Sequence, residues 1–309
     1  MFEAMKTKRI LLAGGSGFLG RAITQELLSR NYEVVVLART AHERTGDAKE
    51  ILWDGKSPDD WTGFLEGAEA VVNLAGRNIQ CRFRPENLRE LKASRVDSVL
   101  AISNALGGLT NPPGVWVQAG AIGFYGDAKD QWCVENSPTG DGALAEICRL
   151  WEAAFNSASV PQTRRVLLRI GFVLGRAGGA LPVLGGLTKW FLGGTAGSGN
   201  QFISWIHVQD LSRMFLEAIE RDELSGTFNA VAPNPVTNRE FMRELRYALH
   251  RPWSPPAPEW AVKLGARAMG TEPSLVLTGC RVTPKRFLEA GFKFQFTDLR
   301  RALETTVTG

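Results

Sequence analysis

Three glycines three positions apart, Gly14, Gly17 and Gly20 in the run AGGSGFLG, lie between an apolar segment and a helical one, and nothing else in the chain restricts its fold as tightly. Arg9 to Ala13 reads as a strand, and Leu19, Ile23 and Leu27 recur at i, i+4 and i+8, the spacing of one helix face. A glycine turn that joins such a strand to such a helix points the first free helix amides at an anion, and the ligand that suits it is a dinucleotide pyrophosphate. Gly14 permits the tight turn, Gly17 lets backbone approach the phosphates, and Gly20 lets the helix pack closely on the strand. The cradle therefore comprises Gly14, Gly15, Ser16, Gly17, Phe18, Leu19 and Gly20.

The alternation continues downstream. Strands are expected at Glu33 to Leu37, Ile51 to Trp53, Ala70 to Leu74, Val115 to Gln118, Arg165 to Val173, Phe202 to Val208 and Thr227 to Val231. Helices are expected near Asp59 to Leu65 and over Pro85 to Leu106, Gly142 to Ser157 and Asp210 to Glu220. Short apolar strands separated by helices predict an α/β class, a doubly wound parallel sheet covered on both faces. The Rossmann domain is expected over 1–233, with a glycine-rich lid segment at 178–200, and a smaller, mainly helical C-terminal substrate lobe over 234–309. That lobe opens on a capping box, Thr237 with Glu240.

Composition narrows the partners. The chain has 309 residues with a net charge of only +4, and its basic residues are scattered, so no nucleic-acid footprint is evident. No apolar run approaches membrane-spanning length, and the opening segment lacks the apolar core of a signal peptide, so a cytoplasmic protein is expected. Four cysteines without metal-like or redox-like spacing and three scattered histidines predict reduced thiols and no metal site. The expected partner is a small-molecule substrate, with the chain acting as monomer or homodimer.

Which dinucleotide binds is decided near the end of the second strand, where NAD-selecting proteins place an acidic residue on the ribose hydroxyls. Here Ala38, Arg39 and Thr40 occupy that place. A guanidinium pairs with a 2′-phosphate through charge-assisted hydrogen bonds, so NADP is favoured over NAD; Arg44 serves the same purpose equally well. Asn73 to Gly76 end a strand with small residues suited to close approach of a cofactor. Asp54 is either an adenine contact or an ordinary turn aspartate.

AGGSGFLG, NLAG at Asn73 to Gly76, WVQAGAIGFYG at Trp116 to Gly126 and WIHVQD at Trp205 to Asp210 together resemble the extended short-chain dehydrogenase/reductase superfamily. ASR at Ala93 to Arg95, Trp151-Glu152, GSGNQFISWIH at Gly197 to His207 and TPKRFLEAGFKF at Thr283 to Phe294 resemble its atypical epimerase-like branch, the YfcH type with an uncharacterised C-terminal domain. The resemblance spans nearly the whole chain. It implies NADP contacts at the glycine turn, at Ala38 and Arg39, at Leu74 and Ala75, at Glu90 and Arg95 on the long helix, and at Val173.

The superfamily's proton relay, a Ser or Thr after the fifth strand and a Tyr-x-x-x-Lys on the next helix, is missing. Gly120 or Ala121 stands at the serine place, and counting back from Trp151-Glu152 puts Leu144 and Cys148 at the tyrosine and lysine places. A literal Tyr-x-x-x-Lys at Tyr125 to Lys129 falls in a loop, where residues four apart share no face. Tyr125 and Cys148 remain the weak catalytic candidates, with Asp127 and Glu146 behind them. His207 and Asp210 read as a strand-end imidazole and a helix N-cap, and Lys189 as an anion contact or a solvated side chain. Two functions fit these observations: an NADP-dependent oxidoreductase of a small carbonyl or hydroxyl compound, or a non-catalytic NADP(H) sensor.

Overall fold

A computed structural model describes residues 8–40 and 47–308. Arg44 lies outside the described residues. Seven parallel strands form the central sheet: β1 (Arg9–Ala13), β2 (Glu33–Ala38), β3 (Lys49–Leu52), β4 (Ala70–Asn73), β5 (Val115–Ala121), β7 (Arg164–Ile170) and β11 (Gly226–Ala230). Between β5 and β7 in sequence comes the two-residue β6 (Trp132–Cys133). The order across the sheet is β11-β7-β5-β4-β1-β2-β3. β1 to β3 run to one edge and β4 onward to the other, so the connections after β1 and β4 diverge and leave a crevice at the strands' C-terminal ends.

The inner strands β1, β2, β4, β5 and most of β7 are buried on both faces, as their Val, Ile and Leu content requires, whereas the edge strand β3 is partly exposed. Helix α1 (Phe18–Ser29) packs beside α5 (Val208–Glu220), and α2 (Pro85–Gly107) beside α3 (Ala143–Asn156). Pro85 occupies the first turn of α2, where its missing N–H costs nothing.

The apolar run Arg165 to Val173 is two strands rather than one. Gly171 separates β7 from β8 (Phe172–Leu174): its amide still donates to Ala230 of β11 at 3.1 Å, the Phe172 amide turns to the Ser204 carbonyl at 2.8 Å, and a Cβ on Gly171 would stand 2.4 Å from that oxygen. The run from Phe202 likewise divides at Ser204 into β9 (Phe202–Ile203) and β10 (Trp205–His207). The Ser204 hydroxyl donates to the Cys280 carbonyl at 2.8 Å and accepts from the Val282 amide at 2.9 Å, and β10 pairs with β8 in parallel.

Residues beyond 233 are stitched back into the sheet. Helix α6 (Asn238–Ala248) opens on the Thr237 and Glu240 capping box. The two-residue β13 (Arg281–Val282) runs parallel to β6. Phe287 packs on Phe228 of β11 at 5.0 Å, Arg286 donates to the Ser225 and Thr227 carbonyls, and helix α10 (Leu299–Thr308) packs on α6. A second apolar core, with Leu174, Trp205, Phe241, Leu245, Phe296 and Leu303, joins these pieces. Among the described residues, no helix is long and apolar enough to cross a membrane.

Candidate functional site

The crevice opens into a cleft of about 650 Å³. Gly14, Gly17, Phe18, Leu19 and Gly20 form one wall, Leu74 and Gly76 come from the end of β4, Ala119 to Gly123 from the end of β5, and Ile170 to Val173 from the end of β7. The glycines are there for want of space. Gly14 has φ +77°, and a Cβ on it would approach the Ala75 nitrogen to 2.9 Å; one on Gly20 would lie 2.4 Å from Gly15. Gly17 faces open space, with only the Gly14 carbonyl near, and caps α1 without a side-chain hydrogen bond. The first amides of α1 are thus left for a ligand. Gly15 lies buried against Val36, and Ser16 offers its carbonyl to the Arg21 guanidinium at 2.7 Å. Ala38 ends β2 beside this turn, and Arg39 follows it, exposed. Ala75 takes a hydrogen bond from its amide to the Asn73 side chain at 3.0 Å, which fixes the backbone that Gly14 rests on.

Arg95 supplies the cleft's charge. It is the one charged side chain among the described lining residues. Its guanidinium lies 5.1 Å over the Trp151 ring and donates to the Leu91 carbonyl at 3.1 Å. No carboxylate pairs with it among the described residues, and burial depresses its pKa. A half-buried cation without an anionic partner is well placed to take an anionic ligand. Glu90, expected beside it, turns outward: its carboxylate pairs with Arg77 at 2.6 Å, is 65% exposed and takes no part in lining the cleft. Five residues along a helix amount to 500° of rotation, which carries Glu90 and Arg95 to different faces.

The places of the missing relay meet in space. Leu144 and Cys148 on α3 both face the cleft, opposite the turn after β5, and a Cβ on Gly123 would stand 3.5 Å from each. Gly120 and Ala121 line the same region. Burial, followed by the Glu152 charge, pushes the Cys148 thiol up to about 12. Tyr125 is elsewhere. It closes a short 3-10 turn, its hydroxyl donates to Asn229 at 2.7 Å and accepts from Arg169 at 2.8 Å, and burial raises it to about 12. Arg169 also holds Glu152 through two hydrogen bonds at 2.9 and 2.8 Å. The adjacent pair Trp151-Glu152 therefore serves two arginines, one open to the cleft and one sealed below it. Lys129 is exposed with φ +52°, far from any helix shared with Tyr125.

Other anticipated residues hold structure. The Asp54 carboxylate accepts from the Lys56 and Ser57 amides and the Ser57 hydroxyl, an aspartate turn. Glu146 pairs with Lys92 at 2.7 Å, and Asp127 accepts from the Gly279 amide at 3.3 Å. His207, not Asp210, caps α5: its Nδ1 accepts from the Gln209 amide at 3.3 Å, its ring stacks 3.8 Å from Phe296, and burial lowers its pKa to about 4. Asp210 instead accepts from the Gln295 and Phe296 amides and anchors the C-terminal segment. Lys189 ends α4 (Leu181–Lys189), exposed. Of the glycine-rich stretch 178–200, only Gly179 lines the cleft among the described residues.

The far wall comes from residues that no sequence motif marked as site residues, although Phe202 to Ser204 lie within a segment that carries the family resemblance. Asn78, Ile79, Phe202, Ile203, Ser204, Leu275, Thr278 and Cys280 complete it. Glu272 accepts a hydrogen bond from the Phe83 amide at 3.1 Å and ties the C-terminal segment to the loop before α2. Only that tertiary pairing brings residues about 190 positions apart to one rim, and no local pattern reports it.

Two family models match the chain: the NAD dependent epimerase/dehydratase family over residues 10–147 and a domain of unknown function, DUF1731, over 257–306. The chloroplastic SDR39U1 homolog of Arabidopsis thaliana, an epimerase family protein, is 37% identical over 95% of this chain and 85% of its own. This chain belongs to the SDR39U1-type epimerase family. The crystal structure of human SDR39U1 (isoform 2) with NADPH superposes with a TM-score of 0.87 at 32% identity, covering 97% of this chain and 99% of the human one. A nucleoside-diphosphate sugar epimerase from Corynebacterium glutamicum reaches 0.77 at 31% identity, over 98% of this chain and 58% of that one.

Proposed function

We propose that the protein binds NADP(H) along the crevice and acts as an oxidoreductase on a small carbonyl or hydroxyl compound. The observation that carries this reading is the glycine cradle running into a cleft that also contains the half-buried Arg95 guanidinium, which has no carboxylate partner among the described residues. The residues fit the cofactor. Gly14 to Gly20 offer backbone amides to a pyrophosphate, Leu74 and Ala75 leave room for the adenosine half, Val173 borders the far side, and Arg95 supplies positive charge for a phosphate or ribose oxygen. Arg39, exposed at the end of β2, is suited to a 2′-phosphate. The NADPH bound to human SDR39U1 supports the choice.

Bound there, NADPH would supply hydride. The chain's own part is to orient the acceptor against the β5 turn and to keep water out with Ile122, Leu144, Ile147 and Phe202. Among the described residues no phenol or lysine lines the cleft for proton transfer, help that is typically worth about 10² to 10⁴-fold in rate. This shortfall favours a second reading, an NADP(H)-binding sensor without turnover. Following NADPH absorbance at 340 nm across a panel of carbonyl compounds separates the two: saturable turnover of any member supports the oxidoreductase, and cofactor binding with no turnover of any leaves the sensor. The four cysteines are free thiols, which suits a reducing, cytoplasmic setting.

A further inference from the structure

The outer half of the cleft has a chemistry of its own. Ile122, Leu144, Ile147, Phe202, Ile203 and Leu275 surround it. Among the described residues no lysine, histidine or second arginine lines the cleft, so nothing there would clamp a second pyrophosphate once Arg95 and the glycine turn serve the cofactor. A nucleoside-diphosphate sugar carries two phosphate charges whose desolvation needs such a clamp. Three of the polar side chains that border this space are committed, which leaves the neutral Asn78 and Ser274 side chains at its rim. The Ser204 hydroxyl donates to the Cys280 carbonyl, the Thr278 hydroxyl to the Ser274 carbonyl at 2.7 Å, and the Cys280 thiol to the Ile122 carbonyl at 3.6 Å. A thiolate left at Cys148 would be buried beside the Glu152 carboxylate.

An acceptor reduced in such a site has to carry its new negative charge without a proton from the protein. Reduction of a simple ketone leaves an alkoxide, about as basic as hydroxide, whose conjugate acid water has a pKa of about 15.7. Reduction of a quinone leaves a phenolate-type anion, and phenols titrate near about 10. The difference is about six pKa units, a factor of about 10⁶ in the stability of the first product.

Building on the NADP(H) reading above, we infer that the outer cleft takes a flat, uncharged, apolar acceptor of the quinone class, and not a nucleoside-diphosphate sugar. The balance is simple: two electrons and one proton reach the quinone as hydride from NADPH, leaving NADP⁺ and a hydroquinone monoanion, which takes its second proton from water.

Duroquinone, fully substituted and so without a free ring position for thiol addition, is the probe. Calorimetric titration into protein saturated with NADP⁺ reads binding without turnover, with UDP-glucose titrated alongside. The expected result is saturable duroquinone binding and no UDP-glucose binding. Leu275→Glu, which places a carboxylate in the apolar wall, is expected to weaken duroquinone binding at least about tenfold while NADP⁺ affinity is retained. With NADPH, kcat/KM for duroquinone is expected to exceed that for cyclohexanone by about 100-fold or more. Binding of UDP-glucose in place of duroquinone, or equal turnover of cyclohexanone, overturns the acceptor class. Failure of NADP⁺ itself to bind overturns the underlying reading, whereas NADP⁺ binding with no duroquinone binding overturns the acceptor class alone.

Discussion

The two ends of the cleft are built on opposite principles. At the cradle the backbone makes the site: side chains are excluded by distance, and a Cβ on Gly14 or Gly20 would collide with neighbouring main chain. At the outer end side chains make the site, drawn from β5, α3, β9 and the segment Ser274 to Cys280. The first end tolerates almost no substitution yet says little about chemistry. The second is lined by side chains and its positions are open to change, as Leu144 and Cys148 illustrate at the places where the resemblance would put a tyrosine and a lysine. Family membership therefore carries the cofactor further than it carries the reaction.

Substitution at the cradle is the most direct way to break this contrast. Gly14→Val combines a left-handed backbone with a clash against Ala75, and is expected to cost NADPH about 1000-fold in affinity, about 4 kcal/mol, by fluorescence titration. A loss under tenfold would mean that the turn yields, and the distinction between a backbone-built and a side-chain-built end would fail.

Acid probes the C-terminal segment that supports the outer wall. His207 titrates near 6.5 when unfolded and about 4 when folded, because burial disfavours its charge. The unfolded chain therefore binds the extra proton first. The neutral-imidazole contribution is fully present above pH 6.5 and is lost as pH falls toward 4, a change of up to about 3 kcal/mol. Asp210, whose carboxyl is raised by burial, titrates in the opposite sense, so the comparison with His207→Asn isolates the imidazole. Urea midpoints at pH 7 and pH 4.5 are expected to separate less in the variant than in the parent. Equal separation would remove His207 from the account.

Arg95 is where the two ends meet, and it sharpens the comparison because binding and stability are expected to move in opposite directions. Arg95→Met should weaken NADPH about 30-fold, about 2 kcal/mol, while raising the Tm of the ligand-free protein by about 2 °C, since it removes a partly desolvated cation that has no carboxylate partner among the described residues. A fall in both would make Arg95 a structural residue. The smallest effect is expected at Arg39. Arg39→Asp should lower the NADPH-to-NADH affinity ratio about tenfold, and an unchanged ratio would remove the 2′-phosphate contact.

The same contrast explains what could be read from the chain. The cradle is local, so one strand, three glycines and one helix face declared it, and the strand alternation carried the sheet with it. That Leu144 and Cys148 share the cleft-facing side of α3 was also legible, because both follow by counting along a single helix. Glu90, which the resemblance pairs with Arg95, pairs with Arg77 instead and does not line the cleft, since five residues along a helix turn through about 500°. The division of β7 from β8 at Gly171 was invisible because its cause, the Ser204 carbonyl, lies 33 positions away. Leu275, Thr278 and Cys280 could not be found at all, since their place depends on β13 pairing with β6 and on Glu272 reaching Phe83.

NADPH titration followed by cofactor fluorescence, with parent and Arg95→Met in parallel, tests the central claim most directly. The account predicts one saturable site per chain with micromolar or tighter affinity, weakened but not abolished in the variant. Absence of saturable binding by the parent up to millimolar NADPH would contradict it.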